Sequence, residues 1–347
     1  MLPSDLPSDL PSDLPSFIAR FGTDDACRDY LFARRWPDGF RCRRCDGRRC
    51  YRLAKRIVYE CSVCDFQHAL LAGTIFEQTK TPLSSWFLAC HLFLSSKGGV
   101  SALELKRQLG FKSDQTAWVW LHKLRAAMSV RGAPLEGPVE VDETLIGGPE
   151  PGKRGRGAAG KTLVAGAVEV RTAVVTAPDP VQLSGAARTR AIAMAERLEG
   201  AGQDVRRRCL GRVRLAVIGA ASTTDLGRFI AAAITPAAAI STDGWAAYRK
   251  AVNPQADSGR EHTRIIVSKA GPAHEHLPAV HLVFTLAKRL LTGTYHGGVG
   301  RHLPRYLDEF TFRFNRKSLS PVKRVMTVID RALQTGPLTI PMIFMRN

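Results

Sequence analysis

Two Cys-x2-Cys pairs, Cys42 with Cys45 and Cys61 with Cys64, stand 15 residues apart in FRCRRCDGRRCYRLAKRIVYECSVC. A Cys-x2-Cys knuckle aims two thiolates at one ion, and a hairpin between two such knuckles closes a tetrahedron around zinc. Four thiolates leave no open coordination position, so the spacing predicts structural Zn2+. Cys50 lies between the pairs as an alternative ligand, while Cys27, Cys90 and Cys209 read as ordinary thiols. A second chemistry rests on acids. Asp142 in GPVEVDETLIGG and Asp243 in STDGWAAY each fall in or at the end of an apolar stretch that reads as a strand. Two carboxylates from adjacent central strands can hold divalent ions about 4 Å apart, with a third group supplied by a following helix. Such a pair of ions acts on phosphodiesters.

The elements that must position these acids follow from periodicity and caps. Strands are expected within 137–148, where Val139, Val141 and the apolar residues beyond alternate, and at 163–170, 213–220 and 238–242, with helices at 223–233 and 276–291. A Gly-rich basic loop, 151–160, turns between the first two strands. Three strands, a helix, a strand carrying Asp243 and a further helix make an α/β domain in RNase H-like order. Upstream, Trp86–Ser95 is apolar on nearly all sides and reads as a buried helix. Ser101 and Ser113 then cap two short helices across the turn Gly110-Phe111-Lys112, the pattern of a helix-turn-helix. Its second helix would present Gln115, Thr116, Trp120 and Lys123. The repeated Leu-Pro-Ser-Asp unit over 2–16 has a proline every fourth residue and reads as an extended leader.

Charge points to the partner. The 347 residues carry 50 basic and 31 acidic side chains, a formal charge of +19. Such an excess favours a polyanion, double-stranded DNA first. It is concentrated in the cysteine segment, where Arg41, Arg43, Arg44, Arg48, Arg49, Arg52, Lys55 and Arg56 face one acid, Asp46. No run of 18 apolar residues and no secretory signal is visible, so neither a membrane span nor export is expected. Eight cysteines without an export signal read as thiols or metal ligands.

The blocks CRRC…CSVC, GPVEVDETLIGG, STDGWAAY, HLPAVHLVFTLAKRLLTGTYHGGV and RYLDEFTFRFNRK resemble, in this order, bacterial insertion-sequence transposases of the ISXO2-like kind. Those have an N-terminal zinc ribbon and a DDE-type core, and the resemblance covers roughly 20–330. It implies that Asp142 and Asp243 bind catalytic Mg2+ or Mn2+, and that a third position, here His281, is followed seven residues later by Lys288. Seven residues of helix return to within about 20° of the same face. An imidazole suits Mn2+ better than Mg2+. Glu275 is the rival third ligand, and Glu143 a partner for Asp142. The implied domains are a leader (1–16), a ribbon with its preceding helix (17–70), a helical DNA-binding region (71–133), a catalytic domain (134–317) and a tail (318–347). Residues 171–208 read as an insertion. The implied activity is cleavage and transfer of DNA strands at element ends, on the bacterial nucleoid, with self-association on DNA. Alternatives are a catalytically inactive copy that only binds DNA, and a nuclease that cuts without joining.

Overall fold

The computed structural model describes residues 10–53, 56–129, 132–147, 161–174, 184–200, 206–253, 259–266, 273–296 and 300–345. Most of the leader, Lys55, the 151–160 loop and parts of 171–208 lie outside them. The chain divides into two compact units, one of residues 1–131, 147–160 and 287–347, the other of 132–146 and 161–286.

In the first unit, α1 (Leu14–Phe21) starts inside the leader. Asp13 accepts the Ser16 N–H at 2.8 Å, and Pro15 sits in the first turn, where no N–H is needed. Phe17 and Phe21 are buried, so the repeat ends in a packed helix. Next come α2 (Asp24–Arg35) and the ribbon, an antiparallel sheet of β1 (Cys50–Arg52), β2 (Val58–Cys61) and β3 (Gln67–Ala69). The helices α3 (Leu83–Ser95), α4 (Ala102–Leu109) and α5 (Asp114–Ala127) follow, with Ser101 and Ser113 capping the last two as expected. Trp86 of α3 stacks on Trp120 of α5, centroids 3.5 Å apart and planes 7° apart.

That stack corrects one expectation. Ala117, Trp120, Leu121 and Leu124 form the buried stripe of α5, so Trp120 faces the core rather than solvent. Lys123 is half-buried and donates to the Ile75 carbonyl at 3.0 Å, with burial holding its amine below the usual range. Gln115 and Thr116 are exposed.

The segment expected as a tail is also part of this core. After α11 (Leu303–Asn315), Ser320 caps α12 (Pro321–Gln334), whose Val322, Val325, Met326 and Ile329 are buried at helical spacing. Arg34 and Tyr30 of α2 donate to Asp330 of α12 at 2.8 and 2.9 Å. A short helix, α13 (Ile340–Met345), ends the described chain. Ribbon residues Phe40, Tyr59 and Leu70 share one apolar cluster with α3, α5 and α12. The ribbon, helical region and C-terminal helix are therefore one body.

The second unit is built on a five-stranded sheet in the order β6-β5-β4-β7-β8, namely β4 (Val139–Ile146), β5 (Thr162–Val174), β6 (Arg206–Val217), β7 (Ile240–Asp243) and β8 (His262–Ile265). The first three strands are antiparallel; β7 runs parallel to β4, and β8 to β7. One face carries α7 (Thr223–Ala233) and α8 (Ala246–Val252), packed on Val139, Val141 and Ile240. The segment read as an insertion is partly strand: β5 and β6 stay paired out to Val174 and Arg206, past a bulge at Val168/Val170. Between them lies α6 (Gly185–Gly200).

At the bulge, buried Glu169 accepts from the Arg212 guanidinium at 2.6 Å and from the Arg212 and Glu136 amides at 2.9 and 3.0 Å. Burial pushes its carboxyl up, but these partners outweigh it and bring it down to about 2. A depressed folded pKa stabilises the protein fully above the unfolded value and is lost as pH falls toward the folded one. Glu169→Gln is expected to cost about 2–3 kcal/mol at pH 7. Denaturant titration should show that difference shrinking between pH 4.5 and about 2; a pH-independent difference would contradict the assignment.

Candidate functional site

The ribbon's two knuckles are built alike. Cys42 and Cys61 each accept a backbone N–H on sulfur at 3.4 Å, from Arg44 and Val63. Asp46 and Asp65 follow the second cysteine of each knuckle with φ of 57° and 56°, and their N–H groups donate to the Cys42 and Cys61 carbonyls. The sulfurs of Cys42 and Cys64 are 3.7 Å apart, and those of Cys45 and Cys61 3.6 Å apart. Zn–S bonds of about 2.3 Å give a tetrahedral edge of about 3.8 Å, so the quartet fits zinc. Gly47 leaves room for it: a Cβ there would stand 3.0 Å from the Cys61 sulfur. Among the described residues, these four cysteines are the one group of three or more such donors within 4.8 Å of one another, and Cys50 is outside it. His68 is a partner the spacing did not reveal: its buried Nε2 lies 3.3 Å from the Cys42 sulfur.

The acids lie in the second unit. β4 and β7 pair in parallel through Val139↔Ile240 and Glu140↔Ser241. Two residues further along each strand come Asp142 and Asp243. Side chains alternate along a strand, so the two carboxylates share the face of Glu140, opposite Val139 and Val141. On that face runs α10 (Pro278–Tyr295), which follows α9 (Ala273–His276). Its His281 places Nε2 3.4 Å from Asp142 Oδ2. Gly166 of β5, paired opposite Asp142, permits this approach: a Cβ there would stand 2.5 Å from the Phe284 ring of α10. Glu275 is exposed on α9, and Lys288 is exposed two turns beyond His281.

Further acids stand nearby. Asp243 also accepts the Trp245 N–H at 3.0 Å, which holds the turn after β7. Glu143 points to the other face, where Tyr248 of α8 donates to it at 2.6 Å. Burial foremost, then the charges of Glu143, Asp142 and Asp243, push the Tyr248 hydroxyl well above its usual range. Asp142, Asp243 and His281 offer oxygen and imidazole donors, the types that divalent cations take, but the three do not gather within 4.8 Å of one another. Two ions span a wider donor set than one ion does.

On the ribbon, Arg44, Arg48 and Arg49 are exposed. Arg41 pairs with Asp46 at 3.0 Å, and Arg43 lies over the Phe66 ring at 4.7 Å. Arg52 pairs with Asp25 and Asp29. Part of the basic charge thus already has a partner.

Residues 22–67 match the transposase zinc-ribbon domain, and residues 134–315 match the ISXO2-like transposase domain. The class is that of zinc-ribbon transposases. Within it, the chain belongs to the ISXO2-like transposase family. It is also 26% identical over 132 residues to an uncharacterized protein in transposable element ISH50 of Halobacterium salinarum. That similarity covers 37% of this chain and 44% of the relative, under half the relative's length. Among the described residues, no helix is long and apolar enough to cross a membrane.

Proposed function

We propose that the chain is an insertion-sequence transposase that binds double-stranded DNA at element ends, cuts one strand and joins the freed end to target DNA. The observation that carries this reading is the placement of Asp142 and Asp243 at matching positions of adjacent parallel strands, with His281 beside Asp142. The strand order supports an RNase H-like core. Asp142, Asp243 and His281 would hold Mg2+ or Mn2+, which neutralises charge on attacking and leaving oxygens when bound. Asp142 and Asp243 would supply the anionic charge that fixes the ions, and His281 a ring nitrogen. Lys288 pairs with a DNA phosphate as a point charge. The ribbon, held by zinc, offers Arg44, Arg48 and Arg49 to the DNA backbone, and α5 offers Gln115 at its start.

The test is incubation of the full chain with a labelled duplex carrying the element's terminal repeat, a plasmid target, and Mg2+ or Mn2+. Joined products support a transposase. Cut but unjoined ends would leave a nuclease, and binding without cutting a DNA-binding protein. Affinity should fall steeply with salt, and reversing Arg44, Arg48 and Arg49 to Glu should reduce the logarithmic salt slope by about 1 for each phosphate no longer neutralised. An unchanged slope would remove the ribbon from the interface.

A further inference from the structure

Glu140 is an acid within a strand, 2% exposed. It lies two residues before Asp142 on β4, on the same face of the sheet. Its Oε2 accepts the backbone N–H groups of Ala279 and Val280 at 2.8 and 3.0 Å. Those amides belong to the first turn of α10, where intrahelical acceptors do not reach. Pro278, the first residue of the helix, has no N–H, and the His281 N–H donates to the Leu277 carbonyl at 3.3 Å. Glu140 therefore satisfies the first-turn donors that remain. It caps the helix from across the fold rather than from the preceding residue, and its charge faces the positive end of the helix. The second carboxylate oxygen, Oε1, accepts from Arg208 of β6 at 2.8 Å. Arg208 lies in the segment read from sequence as an insertion.

We infer that Glu140 is a positioning residue: by capping α10 it sets the helix along its axis and so holds the His281 imidazole against Asp142, while Arg208 balances the buried charge. This rests on the proposal that Asp142 and His281 serve the metal site. His281 is the fourth residue of the helix, and an axial slip of one residue, about 1.5 Å, would carry its imidazole away from the 3.4 Å contact with Asp142. Groups that orient ligands from behind are worth about 10–100-fold in metal affinity or activity.

The experiment uses the full zinc-loaded chain and the variants Glu140→Ala, Glu140→Gln and Asp142→Ala. Three quantities are read: amide hydrogen exchange over residues 277–285, Mn2+ affinity by electron paramagnetic resonance, and cleavage of a terminal-repeat duplex. Glu140→Ala is expected to speed exchange of the Ala279 and Val280 amides and to weaken Mn2+ binding and cleavage about 10–100-fold, with DNA affinity unchanged. Glu140→Gln keeps a carbonyl oxygen for both amides and should restore all three readouts to within about threefold of wild type, because a neutral oxygen still accepts. If Glu140→Ala fails to fold, Arg208→Ala replaces it, with Arg208→Ala/Glu140→Gln expected to regain activity because no buried charge is stranded. Wild-type exchange and Mn2+ affinity in Glu140→Ala would overturn the inference, as would a glutamine variant as impaired as alanine. Full cleavage by Asp142→Ala would instead overturn the reading of the site, and hydrogen exchange alone would then decide the cap.

Discussion

Replacing Cys61 with serine is expected to release the zinc and to destabilise the whole first unit. Structural zinc sites contribute about 10–16 kcal/mol of apparent binding free energy, and in small ribbons this is folding free energy. The effect reaches further here than in an isolated ribbon. Cys42 and Cys61 are fully buried and belong to the same apolar cluster as Phe40, Tyr59, Trp86 and the α12 stripe. Losing the ion frees both knuckles and uncovers α2 and α3. Calorimetry with metal analysis checks this. The wild type should hold about one zinc per chain, and Cys61→Ser should lose it. The first unit's transition should then fall by more than about 10 °C, the shift that several kcal/mol produces in a body of this size. The second unit, which contains none of the four cysteines, should melt where it did. Full zinc occupancy in the variant would refute the ligand set.

Replacing Asp142 or Asp243 with asparagine should abolish strand cleavage while leaving DNA affinity nearly intact. An amide keeps the shape but would remove the charge proposed to fix the ions, and ions in such sites are worth several kcal/mol of transition-state stabilisation. At about 1.4 kcal/mol per tenfold, that is a loss of roughly 10³-fold or more. His281→Ala should impair cleavage less, because the anionic pair remains. His281→Glu should shift the preferred ion from Mn2+ toward Mg2+, since it replaces nitrogen by oxygen. Single-turnover cleavage at saturating DNA separates these outcomes from binding. Wild-type rates for all four variants would remove these residues from the reaction.

The ribbon was legible in the sequence because its ligands are local: two knuckles and a hairpin need only a short segment. The two aspartates were legible singly, as acids in or ending apolar strands. Their common face was not, because it depends on the parallel register of β4 and β7, which no local pattern specifies. The spacing of Glu140 from Asp142 already puts both on one face, but its role is not legible locally, because the helix it caps begins 138 residues later. Trp120 fits a helix-turn-helix pattern as an exposed residue, but the apolar stripe at 117, 120, 121 and 124 already turns it to the core. The α12 stripe was likewise readable at 322, 325, 326 and 329 but fell beyond the blocks that carried the resemblance. The extension of β6 was hidden by its arginines. They tolerate a strand because Arg208 and Arg212 meet Glu140 and Glu169, and Arg214 donates to the Ala133 carbonyl.

The central claim is that Asp142 and Asp243 touch the catalytic ions, and exchanging the donor atom tests it most directly. Asp142→Cys and Asp243→Cys each replace a hard oxygen by a soft sulfur, which Mg2+ rejects and softer divalent ions accept. Cleavage of the terminal-repeat duplex should vanish for both variants in Mg2+ and return in part when Mn2+ or Cd2+ is supplied, with DNA affinity unchanged throughout. Undiminished cleavage in Mg2+ by both cysteine variants would contradict the account.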